Sequence, residues 1–379
     1  MSDAGGSPFT PRRDGFDEWF HTPVASPSPD PRIEVRRAQP SEFDRVYDLV
    51  DEAFGFKRPR ALSEWVYRQN PHGVARCWVS VERASGRLAG ASSNWPWPIA
   101  RGMSPVPGSQ GGDTVLLDNY RHLGISENAR RIRESHPWTR SIISYGWPNP
   151  NAARRIGKRP DATRMIGVLP SRILLLQARP YLVRRGLPQP VAAVAGRMLD
   201  SLFASWSDLV LRRPFDGHVE PISRFDAAFD EVTRRCMSWK GYWSPHDSDF
   251  LNWRYLRDPI REHLGFALTV GSTLTAYSVV RVGSERAHLM EFVVPQEQPG
   301  AAHFLLLHTI KATAAAGCSQ LAVTAPPGWR HWQLLRSAGF VNSASTLLMY
   351  AYSWRDDMPG LQTLENWQML GGDLDPFYD

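Results

Sequence analysis

The residues whose types and order most directly imply chemistry run from Gly112 to Ser126, read as Gly-Asp-Thr-Val-Leu-Leu-Asp-Asn-Tyr-Arg-His-Leu-Gly-Ile-Ser. Thr114–Leu117 has the composition of a buried strand, Asp118–Tyr120 is a polar turn, and Arg121 and Gly124 open a helix. A strand feeding a glycine loop and a helix N-terminus aims several backbone N–H groups at one point, an arrangement suited to phosphate. An ordinary strand-to-helix turn has the same pattern, so the surrounding elements must decide between the two. The other reactive side chains are more scattered. His303 and His308 stand five apart on one predicted helix, which separates their faces and argues against a metal pair. Cys77, Cys236 and Cys318 form neither a metal-ligand spacing nor a disulfide framework and point to a reducing, cytoplasmic compartment.

The 379 residues, 42% of them hydrophobic, suffice for two domains with sizeable cores. The 44 Lys and Arg against 38 Asp and Glu leave a net charge of +6. That mild excess suits a polyanionic ligand such as a nucleotide and falls short of a dedicated DNA binder. No apolar run approaches the roughly 18 residues of a membrane span, and the N-terminus shows no apolar signal segment.

Residues 1–31, rich in Gly, Ser, Pro and Asp, read as a disordered tail, with Trp19 and Phe20 as the two residues able to dock. From 32 to 179 the pattern predicts a strand (Ile33–Arg36), a helix capped by Ser41, a second helix (Ala61–Gln69) and a meander of three strands. The meander comprises Arg76–Glu82, Leu88–Trp95 (running on to Ala100) and Gln110–Leu117. A helix (Ile125–Ser135), a strand (Ser141–Tyr145), a short helix capped around Asn149, and strands at Met165–Val168 and Ile173–Leu176 follow. Residues 180–215 form a helical connector whose stripe of Val194, Met198, Leu199, Leu202, Phe203 and Trp206 predicts core packing. Over 216–353 the element order repeats with little residue identity, and 354–379 is a C-terminal extension too apolar to be a free tail.

The order strand, two helices, three-strand meander, helix, strand, short helix, strand mixes antiparallel pairing with one helical crossover and defines an α/β (α+β mixed sheet) class. It resembles the GNAT (GCN5-related N-acetyltransferase) fold. The family's pyrophosphate motif, Gln/Arg-x-x-Gly-x-Gly/Ala, is matched by Arg121-His122-Leu123-Gly124-Ile125-Ser126, with Ser at the last position. The resemblance implies two tandem GNAT-like acyl-CoA N-acyltransferase domains. In the second domain the motif falls on Glu297-Gln298-Pro299-Gly300-Ala301-Ala302, a degraded phosphate loop, because Pro299 lacks an amide donor and Glu297 repels a pyrophosphate. Phe250–Tyr255 and Trp367–Asp375 resemble bacterial tandem-GNAT proteins often associated with cell-surface polysaccharide synthesis.

On that resemblance the co-substrate is acetyl-CoA or another acyl-CoA, no metal is needed, and the partner is a small-molecule amine such as an amino sugar or natural-product amine. Its site would comprise Arg121, His122, Leu123, Gly124, Ile125 and Ser126, with Asn149, and the backbone N–H groups of Val115, Leu116 and Leu117 to polarise the thioester carbonyl. Asp113 and Glu291 are the candidate general bases. The tyrosine that many GNAT enzymes place in the last helix as general acid is missing, and Tyr145 is the substitute offered by the adjacent strand. Trp95-Pro96-Trp97-Pro98 reads as a substrate-groove wall or an aromatic plug. Arg130, Arg131, Arg133, Arg154, Arg155, Lys158 and Arg159 read as a contact for an anionic group or a solvated basic face. An acyl-CoA-binding scaffold and an aminoacyl-tRNA-dependent transferase of related fold are the alternative functions.

Overall fold

The computed structural model describes residues 19–22, 30–121, 123–156, 164–236 and 241–377. Most of the predicted tail over 1–31, and His122, lie outside these residues.

In chain order, β1 (Ile33–Arg37) leads to helices α1 (Phe43–Phe54) and α2 (Arg60–Tyr67), then to the meander β2 (Arg76–Glu82), β3 (Leu88–Pro96) and β4 (Gly108–Leu116). Helix α3 (Ile125–Ser135) crosses to β5 (Ile143–Gly146), and α4 (Pro150–Ile156) precedes the strand β6 (Arg164–Leu175) and helix α5 (Gln189–Leu211). The order then recurs as β7 (His218–Pro221), α6 (Ala227–Arg235), α7 (Ser248–Leu251), β8 (His263–Val270), β9 (Thr273–Arg281) and β10 (Arg286–Val293). Helix α8 (Pro299–Ala315), β11 (Gln320–Thr324), α9 (Trp332–Ser337) and β12 (Val341–Ser353) complete it.

Two compact units result, and neither is contiguous in sequence. Unit 1 is the chain up to Ile166 with Leu348–Gln362 and the residues from Asp375; unit 2 is Gly167–Leu347 with Thr363–Leu374. In unit 1 the strand order is β1-β2-β3-β4-β5 followed by the 348–353 part of β12. In unit 2 it is β7-β8-β9-β10-β11 followed by the 167–175 part of β6. Each unit thus receives its last strand from a segment beyond its own repeat. In both, four strands pair antiparallel, the fourth and fifth pair parallel through the crossover helix, and the sixth returns antiparallel.

Several local expectations give way to packing. Ser41 lies inside a 3-10 turn, Pro40–Glu42, and Glu42 takes the N-cap position of α1. The two strands expected at 165–168 and 173–176 are one continuous strand. Helix α5 turns its small residues inward instead of its large ones. Ala192, Gly196, Ser207 and Leu211 are buried, and a Cβ on Gly196 would sit 3.1 Å from the Arg179 backbone. Val194, Met198, Leu202 and Trp206 are 60%, 65%, 64% and 52% exposed, so the predicted stripe faces outward. Close backbone approach, available only to small residues, decides the orientation. Among the described residues no helix is long and apolar enough to cross a membrane.

Trp19 docks on the body of unit 1. It is 1% exposed and packs edge-on against Trp78 and Trp138, within a cluster that includes Val35 and Ile132. Arg37 donates to its carbonyl and holds its guanidinium over the ring. Replacing this buried indole leaves a cavity on top of the lost transfer energy, so Trp19→Ala should destabilise unit 1 by about 3 kcal/mol in urea unfolding. A loss under about 1 kcal/mol would show that the docking adds nothing to the fold.

Candidate active site

The fourth and fifth strands part company in both units. The parallel ladder of β4 and β5 runs only from Gly108 opposite Ile143 to Gln110 opposite Tyr145, while β4 continues to Leu116. In unit 2 the ladder runs from Arg286 opposite Gln320 to His288 opposite Ala322, while β10 continues to Val293. Beyond those points each fourth strand exposes one backbone edge to a wedge.

A β-bulge lies beside the wedge in each unit, next to its carboxylate. In unit 1 the register slips between Ala91 and Ser93 of β3, and Asp113 sits at the slip with φ 45°. In unit 2 it slips between Val279 and Val280, leaving Met290 as the extra residue before Glu291. Bulges redirect the side chains that follow them. Both Asp113 and Glu291 are buried here, at 8% and 4% exposure.

Their surroundings differ. Asp113 Oδ2 accepts from Arg58 Nη1 and from the Tyr67 hydroxyl, both at 2.7 Å. The Arg58 guanidinium is covered by Phe377, 3.8 Å from its ring centroid. The pair is neutral and sealed. Glu291 Oε1 accepts from His246 Nδ1 at 2.7 Å and from the Tyr255 hydroxyl. His246 Nε2 lies 3.1 Å from Asp373 Oδ1, and Asp373 Oδ2 takes the Leu370 amide at 2.9 Å. Burial alone would push the His246 imidazole down, but Glu291 and Asp373 outweigh it and raise it to about 10. His246 is therefore an imidazolium between two carboxylates. A cavity of about 110 Å³ opens against Glu291, Asp373 and His246, with Trp243, Trp329 and His331 on other walls. Burial, with the neighbouring Arg330, pushes the His331 imidazole down to about 3, so that ring is neutral.

Local sequence explains how unit 2 assembles this cluster. Asp247 caps α7 by accepting from the Phe250 amide at 2.8 Å, which places His246 just ahead of the helix, stacked on Phe250 with centroids 4.2 Å apart. The next turn, Asn252–Leu256, is a π-helix, a geometry that recurs at functional sites. It buries Arg254 and Tyr255 side by side. Arg254 Nη2 donates to Leu374 O at 3.0 Å and anchors the segment that delivers Asp373. A Cβ on Gly372 would come within 2.3 Å of both Glu291 Oε1 and the Tyr255 hydroxyl, so only glycine fits there.

The residues predicted from sequence fall as follows. Gly124 has φ 70° and stands at the N-cap of α3 without a side-chain cap bond. Arg121 is exposed and paired with Asp118 at 2.7 Å, Leu123 and Ser126 are exposed, and Ile125 is buried. Leu117 N–H bonds Ala89 O at 2.9 Å, and because strand amides alternate edges, Val115 shares that direction and Leu116 faces the wedge. Asn149 Oδ1 accepts from Ala152 N at 2.9 Å, so its side chain caps α4. Tyr145 is fully buried inside the ladder opposite Gln110. In unit 2, Gln298 is the N-cap of α8 and Pro299 occupies its first turn, where proline is well accommodated because that N–H has no intrahelical partner. Trp95 and Trp97 are fully buried. Among the described residues no group of three or more His, Cys, Asp or Glu could hold a metal ion.

Sequence reasoning singled out Glu291 as a candidate base and did not single out His246, Tyr255, His331 or Asp373, which the structure places around it or its cavity. The Asp247 cap and the Gly371-Gly372-Asp373 turn are the local signals from which His246 and Asp373 could have been singled out.

The overall fold recurs in solved structures. A protein of unknown function from Enterococcus faecalis V583, described as a probable N-acyltransferase, superposes with a TM-score of 0.59 at 12% identity, covering 84% of this chain and 72% of that one. A GCN5-related N-acetyltransferase from Anabaena variabilis gives 0.58 at 10% identity, over 86% and 73%. A tandem GNAT protein from the clavulanic acid biosynthesis pathway gives 0.53 at 14% identity, over 86% of this chain and 99% of that one. The fold is that of the GCN5-related N-acetyltransferases. No family model matches the chain, and no curated protein matches it in sequence.

The raised His246 sets the pH response of unit 2. Relative to an unfolded imidazole near 6.5, its contribution is complete below about pH 6.5 and disappears as pH rises through about 10. Denaturant unfolding should show that loss for wild type and not for His246→Gln, and NMR of the His246 ring should show it charged at pH 8. A ring already neutral at pH 8 would contradict the assignment.

Proposed function

We propose that the protein is a GNAT-type N-acyltransferase that moves an acyl group, most simply acetyl, from acyl-CoA to a small amine, and that the transfer takes place in unit 2. The observation that carries this reading is the cavity at the point where β10 leaves β11, bordered by Glu291, whose Oε1 is pinned and whose Oε2 takes no hydrogen bond from the described residues. Asp113, at the corresponding place in unit 1, is committed to Arg58 and Tyr67.

In this reading the amine nitrogen attacks the thioester carbonyl, the C–N bond forms as the C–S bond breaks, and CoA leaves as its thiolate. Glu291 Oε2 takes the proton that the ammonium must lose. The free edge of β10 supplies amides for the carbonyl oxygen as its charge develops. Arg330 and His331, on the cavity wall contributed by the turn before α9, are the polar groups a departing thiolate meets in the absence of a tyrosine. The pyrophosphate of CoA is assigned to the N-terminus of α8, where the Gly300 amide lies beyond Pro299, next to the Ala301 amide that bonds Gln298 O. The acceptor class is a short amine-bearing compound, an amino sugar or natural-product amine among them.

A second reading places the donor in unit 1, on the Arg121–Ser126 loop with Asn149 beside it and with Leu116 N–H at the thioester. The uncapped N-terminus of α3 behind Gly124 favours it. One pair of variants separates the two readings. Pro299→Glu and Ser126→Glu each put a carboxylate into a helix first turn, where the dipole favours it for folding but it repels a phosphate. Calorimetry with acetyl-CoA should show at least a tenfold loss for Pro299→Glu and none for Ser126→Glu. The reverse pattern would move the donor to unit 1, and undiminished binding in both would remove it from both loops.

A further inference from the structure

Helix α5 of unit 2 presents an apolar face that the transferase chemistry does not use. Of the 18 large hydrophobic side chains exposed among the described residues, seven lie on this one helix, so they form a patch and not a scatter. Val194, Met198, Leu202 and Trp206 stand four apart and make one ridge. Val191 and Leu209, five full turns apart, extend the same face toward both ends. By their exposed fractions the seven leave roughly 750 Å² uncovered, against about 300–600 Å² for the largest apolar patch of a typical monomer and about 800 Å² per partner in a stable complex. The face has the area of one half of a dimer.

Its charges suit a copy of itself. Between Val191 and Leu211 the charged residues are Arg197, Asp200 and Asp208. Asp200 accepts from the Ala178 amide at 2.6 Å and is taken up within the unit. Arg197 and Asp208 are eleven residues, about three turns, apart, so they share one flank of the apolar face. Asp208 is held ionised by Lys311 at 2.7 Å and by Arg212. Consider two copies of α5 packed antiparallel about a two-fold axis between Leu202 and Phe203. Arg197 and Asp208 lie equally far from that axis on opposite sides, so each Arg197 comes level with Asp208 of the other copy. In the same register Met198 enters the gap between Trp206 and Leu209 of the other helix, as ridges enter grooves.

Trp206 is ordered before any partner arrives. Its indole N–H donates to Ser337 O at 3.1 Å, and its ring lies beside Gly339. A fixed tryptophan loses little freedom on association, and tryptophans are frequent anchors of interfaces. A lipid surface suits the face less well, because helices that lie on membranes are rich in Lys and Arg beside the apolar stripe. Here Arg197 is the one cation between Val191 and Leu211.

We propose that the outer face of α5 is a dimerisation surface, covered in solution by the same face of a second copy of this chain, with the two helices antiparallel.

Sedimentation velocity on the full chain at about 10 μM should give twice the chain mass, since interfaces of this area hold at micromolar concentration or below. Met198→Asp and Leu202→Asp alter exposed side chains, and each should give a monomer with an unchanged circular dichroism spectrum. Arg197→Asp should weaken the dimer at least threefold at low salt. Cysteine cross-linking tests the direction of the helices in a Cys236→Ser background, where the remaining Cys77 and Cys318 are buried. Leu202→Cys should link two copies on oxidation and Val191→Cys should not, because antiparallel packing sets the two 191 positions about 35 Å apart. Linking through both positions would mean parallel helices and would overturn the arrangement. A wild-type monomer at this concentration, or a dimer that both aspartate variants leave intact, would overturn the surface itself. So would a monomer that floats with phosphatidylglycerol vesicles, which would assign the face to lipid.

Discussion

A sheet whose fourth and fifth strands stop pairing part-way leaves backbone N–H and C=O groups along two edges, deep in the fold, without their usual partners. Buried backbone groups in that condition are costly, so whatever lies at the parting has to answer for them. The two units answer differently. In unit 1 the ring of Tyr350 lies against Gly111 and Gly146, where a Cβ on either would meet its hydroxyl within 2.9 Å. In unit 2 a cavity remains. The crossover helices, the bulges and the C-terminal segment are all arranged around that parting.

The carboxylates show how one architecture can hold two electrostatic states. Asp113 and Glu291 stand beside bulges on corresponding strands, and each accepts from a tyrosine, Tyr67 or Tyr255, of the helical segment that precedes the meander. Asp113 is matched with an arginine, a cation that stays charged in any environment, and Phe377 covers the pair. Glu291 is matched with a histidine, which Glu291 and Asp373 together hold in its charged form against burial. A buried charge is tolerated when every member of its network is bonded. Exchanging Arg for His and adding a second carboxylate keeps the network bonded and leaves an unbalanced negative charge facing a cavity. At that position unit 1 holds a covered ion pair, and unit 2 an imidazolium between two carboxylates beside a cavity.

The element order was legible because the apolar periods of 2 and 3.6 are strong along the meander strands and in α1 and α3, because α8 is a long continuous apolar run, and because Gly86, Gly271 and Gly339 punctuate them. Those signals sufficed for the likeness to the acetyltransferase fold that the structural neighbours share. The face of α5 was not legible: a hydrophobic stripe reads as buried, whereas Ala192 and Gly196 win the inner face through close backbone contact. The short strand β7 and the helix Arg179–Arg184 also escaped, being too brief to show a period.

For the site, the sequence by itself determined only that Asp113 and Glu291 lie on the fourth strand of each repeat, since the extent of a strand is local; the bulges beside them arise from pairing with the third strand. What it could not determine is who meets them. His246, Tyr255 and Asp373 approach Glu291 from 45, 36 and 82 residues away along the chain, and His246 meets Asp373 across 127. Nor does local pattern reveal that each unit completes its sheet with a strand from beyond its own repeat. Periodicity reports the element a residue belongs to and the face it occupies. The partner that sets its charge is chosen by packing over distances at which the sequence carries no phase.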